Sequence, residues 1–461
     1  MILKRRLNYR NVEGLLLVIM LAIGILGFGM VVAAAQLNQG QNPFPAISSG
    51  LLPPILVGLP FACLHLCLHV RRVEKEQLIL PLIGLLLMIG LTLIWRLRGA
   101  PGVWQQFWRG FVPGSLAIGI FILWPQAIER IRRWAIPISL VGLALSIATA
   151  FFGVVDETGA RLALRFGPLP PIQTSEFLKV ALLIFLAWYI EREGKEVEGR
   201  ARLVLGFLRV PAPRYFIPGI LFVGMATLAL VRMSDFGAVL ILGFLFVSML
   251  YAGFETRIFF TIAAIGLILA LLVGFVLSFT WEVPSVIQYR FLAFRNPWSS
   301  EMIVVDGQPT GITISEGPGY QIQQAIYAVI AGGISGTGLG FGSPQFVPLA
   351  ASDFIFAALV EEMGAIVGLA VLVFFAILLL RILRVAIFLP GEQVFERLLL
   401  IGIGIHLFTQ VFIMAGGTLN LLPLTGVTIP FLSLGGIALF VNMAEIGIVL
   451  ALVQRLENQP V

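Results

Sequence analysis

The sequence predicts an all-α, polytopic membrane bundle of about 12 transmembrane helices, with both termini cytoplasmic and a long extracellular loop between spans 9 and 10. Three observations predict it. Of 461 residues, 59% are apolar and 12% charged, against roughly 45 to 50% and about 25% in an ordinary soluble domain. The apolar residues form continuous runs, such as GLLLVIMLAIGILGFGMVVAAAQL from Gly14 to Leu37, close to the ~20 residues a helix needs to cross a bilayer core. Lys and Arg also fall unevenly between alternate connections. A β-barrel would need short strands alternating apolar and polar residues, so continuous runs exclude it.

In chain order, the spans are expected at about 14–37, 51–70, 78–95, 113–129, 135–155, 172–191, 215–231, 236–253, 258–280, 354–380, 398–419 and 430–453. With the N-terminus inside, cytoplasmic segments hold 21 of the 30 Lys and Arg, among them Lys4, Arg5, Arg6, Arg71, Arg72, Arg130, Arg132, Arg133 and six from Arg192 to Arg214. Outer segments hold eight, and Lys179 lies within a span. An even number of spans returns Arg455 and the C-terminus to the inside, as the positive-inside rule asks. MILKRRLNYR precedes a long apolar span with no small-residue cleavage site, so it reads as an anchor rather than a removed signal peptide.

Cys63 and Cys67 share one face of an apolar helix in CLHLCLH, with His65 and His69 on another. One helix cannot converge four ligands on a metal, so packing explains them better. The cytoplasmic stretch EREGKEVEGRARLVLGFLRVPAPRY is mixed-charge and basic, suited to setting topology and meeting anionic headgroups. The outer loop from Trp281 to Asp353 far exceeds a usual connection, which marks it as functional. Within it, YQIQQAIYAVIAGGISG reads as an amphipathic segment with Tyr320, Gln321 and Gln324 on a polar stripe.

Ionisable residues inside spans are functional candidates because each costs several kcal/mol in hydrocarbon. Glu176 and Lys179, three apart in SEFLKVALL, can pair on one helical face. Asp235 follows Arg232 in a short outer turn, where a helix N-cap accounts for it. In VPLAASDFIFAALVEEMG, Asp353 stands where the long loop enters a span, as an N-cap or as a reactive group. Glu361 and Glu362 fall about 12 Å deeper and need partners or water, which implies a polar cavity opening outward. GGISGTGLGFGS, from Gly332 to Ser343, has alternating glycines without a preceding strand, so it suits backbone flexibility near a ligand, or equally a plain flexible loop, rather than a dinucleotide loop. LPLTGVTIPFLSLGG sets Pro423, Pro430, Gly435 and Gly436 around the last span, the pattern of a helix broken beside a cavity.

In order, SEFLK (175–179), DFGA (235–238), GYQIQQAI (319–326), GISGTGLGFGSPQFVP (333–348), SDFIFAALVEEMG (352–364) and LPLTGVTIPFLSLGG (422–436) resemble the motifs of the SEDS family, which includes RodA and FtsW. The resemblance covers about Leu78 to Val453. It divides the chain into an extra N-terminal two-helix region, 1–77, and a SEDS-like catalytic membrane domain, 78–461, that includes the extracellular loop 281–353. Four positions in three motifs depart from the family pattern. Ala351 and Ser352 replace the His-Thr usually found before the aspartate, Ala163 replaces a tryptophan in GARLALRFG, and Leu434 replaces the tyrosine of SYGG.

The resemblance implies an inverting peptidoglycan glycosyltransferase in the bacterial cytoplasmic membrane, with its site facing outward. It would join the sugar of one lipid II to the C4 hydroxyl of another and release undecaprenyl pyrophosphate. A sugar hydroxyl is a weak nucleophile at neutral pH, so a positioned carboxylate is needed, and Asp353 fits the general base. Pyrophosphate leaves without protonation if its charge is met. Arg290, Arg295, Arg161, Arg165 and Lys179 are the cationic candidates, and a divalent cation such as Mg or Mn could share the work. Glu176, Asp235, Gln321, Gln324, Glu361, Glu362 and Ser433 complete the expected supporting set. Lipid II, membrane lipid and a class B penicillin-binding transpeptidase are the implied partners, and nucleic acid is not. The competing readings are a lipid-linked sugar flippase, against which stands the concentration of site residues in the outer half, and a non-catalytic cell-wall scaffold.

Overall fold

A computed structural model describes residues 10–42, 44, 50–155, 160–165, 167, 171–199, 202–204, 208–210, 213–254, 285–305 and 308–458. Helices follow the apolar runs in order: α1 (Asn11–Leu37), α2 (Leu52–Val70), α3 (Ile79–Gln106), then a π-helical turn at Phe107–Phe111 leading into α4 (Val112–Leu123). Next come the short α5 (Ala127–Arg133), α6 (Ala135–Phe152), α7 (Thr174–Gly199), α8 (Pro213–Met233) and α9 (Phe236–Gly253). The long loop contributes α10 (Ser285–Arg295) and α11 (Pro318–Gly332), and the chain ends with α12 (Ile355–Phe388), α13 (Val394–Thr418) and α14 (Gly436–Glu457). Three antiparallel pairs supply the strands: β1 (Ala163–Leu164) with β2 (Ile172–Gln173), β3 (Arg202–Val204) with β4 (Leu208–Val210), and β5 (Met302–Val305) with β6 (Gln308–Thr313).

Among the described residues, eight helices are long and apolar enough to cross a membrane, with Ile79–Leu123 counted as one. The expected spans 78–95 and 113–129 both fall in that run. The connection expected at 96–112 is helical instead. Its three arginines made it look like a loop, but only Gly99, at φ +62°, leaves the helical region, and Pro101 starts the next stretch. The second span stops at Leu123, before Pro125, rather than at 129. The last span begins at Gly436, because 422–435 is non-helical. The expected span 258–280 lies outside the described residues.

The chain forms two compact units. The first comprises Met1–Pro125, Gln321–Arg381 and Gln410–Val461; the second comprises Gln126–Tyr320 and Ile382–Thr409. In the first unit, glycines let helices approach closely, the usual solution where no hydrophobic effect drives helix association. A Cβ at Gly114 of α4 would stand 2.7 Å from Met443 Sδ of α14, and one at Gly24 of α1 equally close to Met88 Sδ of α3. The first two helices pack into this unit: Phe28 meets Trp95 edge to face at 5.6 Å. At the other end of α1, buried Arg10 pairs with buried Glu13, which also takes His65 Nδ1 at 2.6 Å. Cys63 and Cys67 are free thiols, exposed and half-buried.

In the second unit, α6 and α7 share a small-residue seam. Ser139 Oγ donates to the carbonyl of Ala181 at 3.0 Å, and the hydroxyls of Thr149 and Thr174 lie 2.8 Å apart. Phe185 of α7 stacks on Phe222 of α8 at 4.2 Å, and Gly253 of α9 fits against Ile190. The start of α7 is thereby fixed against α6, which sets the depth of Glu176 and Lys179.

Candidate functional site

In the first unit the site is built on Asp353. The helix α12 begins at Ile355, so the cap position falls to Phe354, whose carbonyl accepts from Ala357 and Ala358. Asp353 sits one residue earlier, half-exposed, in a turn closed by its own amide on the carbonyl of Leu349 at 3.1 Å. Its neighbour Phe354 is fully buried in a cluster with Ala325 and Ala328 of α11, Val347, Ala350, Ala357 and Ala358. An apolar anchor on one side of the turn leaves the adjacent carboxylate at the edge of the packed region. That carboxylate faces the backbone at Gly426, where a Cβ would lie 3.5 Å from Asp353 Oδ2. Gly426 has φ +70°, and a side chain there would be strained.

The Asp353 turn is tied to the broken segment before α14. Ser433 Oγ donates to the carbonyl of Ser352 at 2.7 Å while accepting from the Ile429 amide at 2.9 Å. The Leu434 amide donates to the carbonyl of Ala351 at 2.8 Å. Gln106, wholly buried at the end of α3, then clasps this segment from behind. Its Nε2 donates to the Ser433 carbonyl and its Oε1 accepts from the Gly435 amide, each at 2.9 Å. A non-helical stretch among packed helices must find partners for its backbone groups. Gln106 and Ser433 supply them.

Glu361 and Glu362 have protein partners where an open polar cavity was expected. Glu362 Oε1 takes Arg96 Nε at 2.9 Å, and its Oε2 takes the Gly340 amide at 3.1 Å. Glu361 Oε1 takes the Ser343 amide at 2.7 Å, whereas its Oε2 is buried without a partner. Arg96 continues to the Gly342 carbonyl at 2.9 Å. The glycine-rich loop therefore wraps the two carboxylates. Its Thr337 and Gly338 amides bind the carbonyls of Glu361 and Glu362 where α12 breaks at Gly364, φ +84°. A Cβ at Gly336, φ +83°, would lie 2.4 Å from the Glu362 carbonyl oxygen, and one at Gly332 2.0 Å from that of Val360. The glycines serve close backbone approach, and the group they approach is the protein's own helix.

The second unit holds a separate charged cluster. Glu176 and Lys179, 5% and 3% exposed, pair at 2.8 Å. Asp235 caps α9 by accepting from the Ala238 amide at 3.0 Å. Burial pushes the Asp235 carboxyl up, against the pull of that amide, of the Ser175 hydroxyl and of the Lys179 ammonium. Glu176 alone is ion-paired with Lys179, and Asp235 feels the charges of both at longer range. Arg161 reaches the carbonyl of Phe151 at 2.8 Å, while Arg165 and Arg295 are exposed and Arg290 half-buried. Gln321 and Gln324 are half-buried on α11, and the deeper glutamine is Gln323. Among the described residues, no three His, Cys, Asp or Glu side chains gather as a metal-binding group.

Sequence reasoning missed Gln106 and Arg96, both of which had been placed in a connection. The signal available was the helical continuity of 96–112, concealed by its arginines. Ser433 was expected as a supporting residue, and the structure brings it beside Asp353 with Gln106 behind it.

Helices of membrane-crossing length, buried charges with partners and one half-exposed aspartate beside a broken helix define a multi-pass membrane protein with a carboxylate site at a loop edge. The chain belongs to the SEDS family of glycosyltransferases: the profile of FtsW, RodA and SpoVE, described as cell cycle protein, matches residues 73–458. It is 30% identical over 461 residues to the peptidoglycan glycosyltransferase RodA of Mycobacterium tuberculosis, covering 97% of this chain and 90% of that one. It is 28% identical over 394 residues to the stage V sporulation protein E of Bacillus subtilis, covering 82% and 97%. The fold resembles a chain from a peptidoglycan synthase complex solved to study coordination of polymerization and crosslinking. There the TM-score is 0.61 at 22% identity, covering 83% of this chain and 99% of that one.

Proposed function

We propose that the protein polymerises lipid II, with Asp353 as general base for the C4 hydroxyl of the acceptor sugar, at the outer leaflet of the cytoplasmic membrane. The single observation that carries the proposal is the setting of Asp353. Asp353 is half-exposed with its carboxylate beside the Gly426 backbone, while the carbonyls of Ala351 and Ser352 just before it are held by Leu434 and Ser433, with Gln106 behind. A base must reach the proton it takes and must not wander, and this arrangement answers both needs. The anomeric carbon is attacked from the face opposite the leaving diphosphate, so the configuration inverts. The diphosphate departs as an anion, which needs its charge met by cationic groups rather than by a proton. A divalent cation, Mg or Mn, would be carried by the diphosphate, because among the described residues no three His, Cys, Asp or Glu side chains gather to hold one. A class B penicillin-binding transpeptidase is the proposed partner, supported by likeness to a chain from a polymerising and crosslinking complex.

The test is Asp353→Asn, which keeps size and removes basicity. Purified protein with its transpeptidase partner, assayed by glycan-chain length on a gel, should lose polymerisation at least about 100-fold at unchanged thermal midpoint. Retained polymerisation would falsify the base assignment. A flippase reading draws on the polar residues buried along α14, Asn442, Glu445 and Gln454. The same variant separates the readings, because a flippase would go on translocating lipid-linked sugar in vesicles after the change.

A further inference from the structure

The second unit contains a cavity of 410 Å³ lined by Glu129, Arg132, Arg133, Trp188, Glu191 and Arg192. It lies where α5 meets α7, at the end of α6, and so at the edge of the hydrocarbon layer. Ala135, the first residue of α6, follows directly on Arg133 and Trp134, and Trp134 is 62% exposed. Tryptophans of this kind mark the headgroup level of a bilayer. The charge count of expected loops puts this end of the unit on the cytoplasmic side, which faces the anionic leaflet in that topology.

The lining residues are not equally committed. Arg132 binds Glu191 through both Nε and Nη2, at 2.9 and 2.8 Å, and that pair holds α5 to α7. Glu129 reaches Arg132 and Arg133 only at 3.6 Å each, too long for a good hydrogen bond. Arg133 is 73% exposed, and Arg192, 65% exposed, lies over the Trp188 ring at 5.3 Å. Arg192 Nε also meets Glu193 at 3.5 Å, so two exposed arginines flank the cavity, each held only loosely by one carboxylate, Arg133 by Glu129 and Arg192 by Glu193. Nothing in the proposed polymerisation uses this cluster.

The geometry points to a binding site for the headgroup phosphate of an anionic phospholipid. Arg133 and Arg192 donate to the phosphate, and Trp188 packs beside the glycerol. Arg132, kept in place by Glu191, forms the floor. An incoming phosphate replaces Glu129 at Arg133. A planar guanidinium suits phosphate oxygens, and the cavity is large enough for a headgroup but opens at the depth of one.

The experiment uses the full-length protein in nanodiscs of phosphatidylglycerol diluted in phosphatidylcholine, with retained lipids counted by native mass spectrometry after extraction. Wild type should retain phosphatidylglycerol over phosphatidylcholine. The double variant Arg133→Ala, Arg192→Ala should lose this preference by about fivefold per arginine, the usual worth of a basic residue at an anionic surface. Glu129→Gln should strengthen it, a gain that damage to the fold would not produce. Both arginines are exposed, so an unchanged thermal midpoint in detergent shows the double variant folded. Equal retention of phosphatidylglycerol by wild type and the double variant overturns the proposal. Displacement of the lipid by millimolar glycerol phosphate, with no effect of acyl chains, also overturns it in favour of a soluble phosphate ligand.

Discussion

Replacing Gln106 by leucine asks whether the clasp behind the broken segment governs the Asp353 turn. The two side chains have similar volume, so the change removes hydrogen bonds with little loss of packing. It orphans the Ser433 carbonyl and the Gly435 amide, both of which now bond to Gln106 at 2.9 Å in a fully buried setting. Each orphaned group costs about 1–3 kcal/mol, so the variant should be less stable by about 2–6 kcal/mol. Part of that cost will be avoided by movement of the 433–435 backbone, and this movement is the informative consequence. Ser433 Oγ and the Leu434 amide hold Ser352 and Ala351, so a shifted segment carries Asp353 with it. A misplacement of about 1 Å at a reacting group costs on the order of 100-fold in rate. On the proposed function, polymerisation of lipid II should therefore fall about 10- to 100-fold in kcat, while KM for lipid II stays within about threefold, because the group displaced would act in the chemical step. Gln106→Glu keeps the acceptor for Gly435 and, protonated in this buried setting, can donate one O–H to Ser433, so it should fall between leucine and wild type. The assays are thermal unfolding in detergent and single-turnover polymerisation on a gel. A leucine variant with wild-type rate and midpoint would refute the clasp, and so would a glutamate variant worse than leucine in stability alone.

Three further outcomes follow from the geometry. Lys179→Met leaves buried Glu176 without its cation and should destabilise the protein by about 3–5 kcal/mol; adding Glu176→Gln should recover part of this, and additive losses in the double variant would show that the pair is not coupled. Gly336→Ala places a Cβ against the Glu362 carbonyl at a positive φ and should cost about 2–5 kcal/mol, from about 1–2 for the left-handed backbone and 1–3 for overpacking; an unchanged thermal midpoint would show that the loop yields freely. Arg96→Met removes the cation from buried Glu362 and should loosen the glycine-rich loop, read as faster amide exchange at Gly340 and Ser343, whereas unchanged exchange would mean that the amides alone hold the loop.

The membrane-crossing character of the chain was legible from composition and run length, because a helix in hydrocarbon satisfies its backbone internally and needs only apolar side chains outside. The pairing of Glu176 with Lys179 was legible too, since a spacing of three fixes a helical face whatever surrounds it. Asp353 was legible as a charge at a loop boundary, and its motif carried the family resemblance. What the sequence alone determined is thus local: period, length and spacing along one helix. The partners of Glu361 and Glu362, the purpose of the alternating glycines, the company Asp235 keeps with Lys179 and the clasp by Gln106 were decided by tertiary structure. Each joins residues far apart in the chain, as Arg96 with Glu362 or Gln106 with Ser433, and neither partner carries a local signal of the other. Polar groups enclosed by protein must find donors and acceptors wherever packing brings them, so their partners are set by how the helices meet rather than by any one of them.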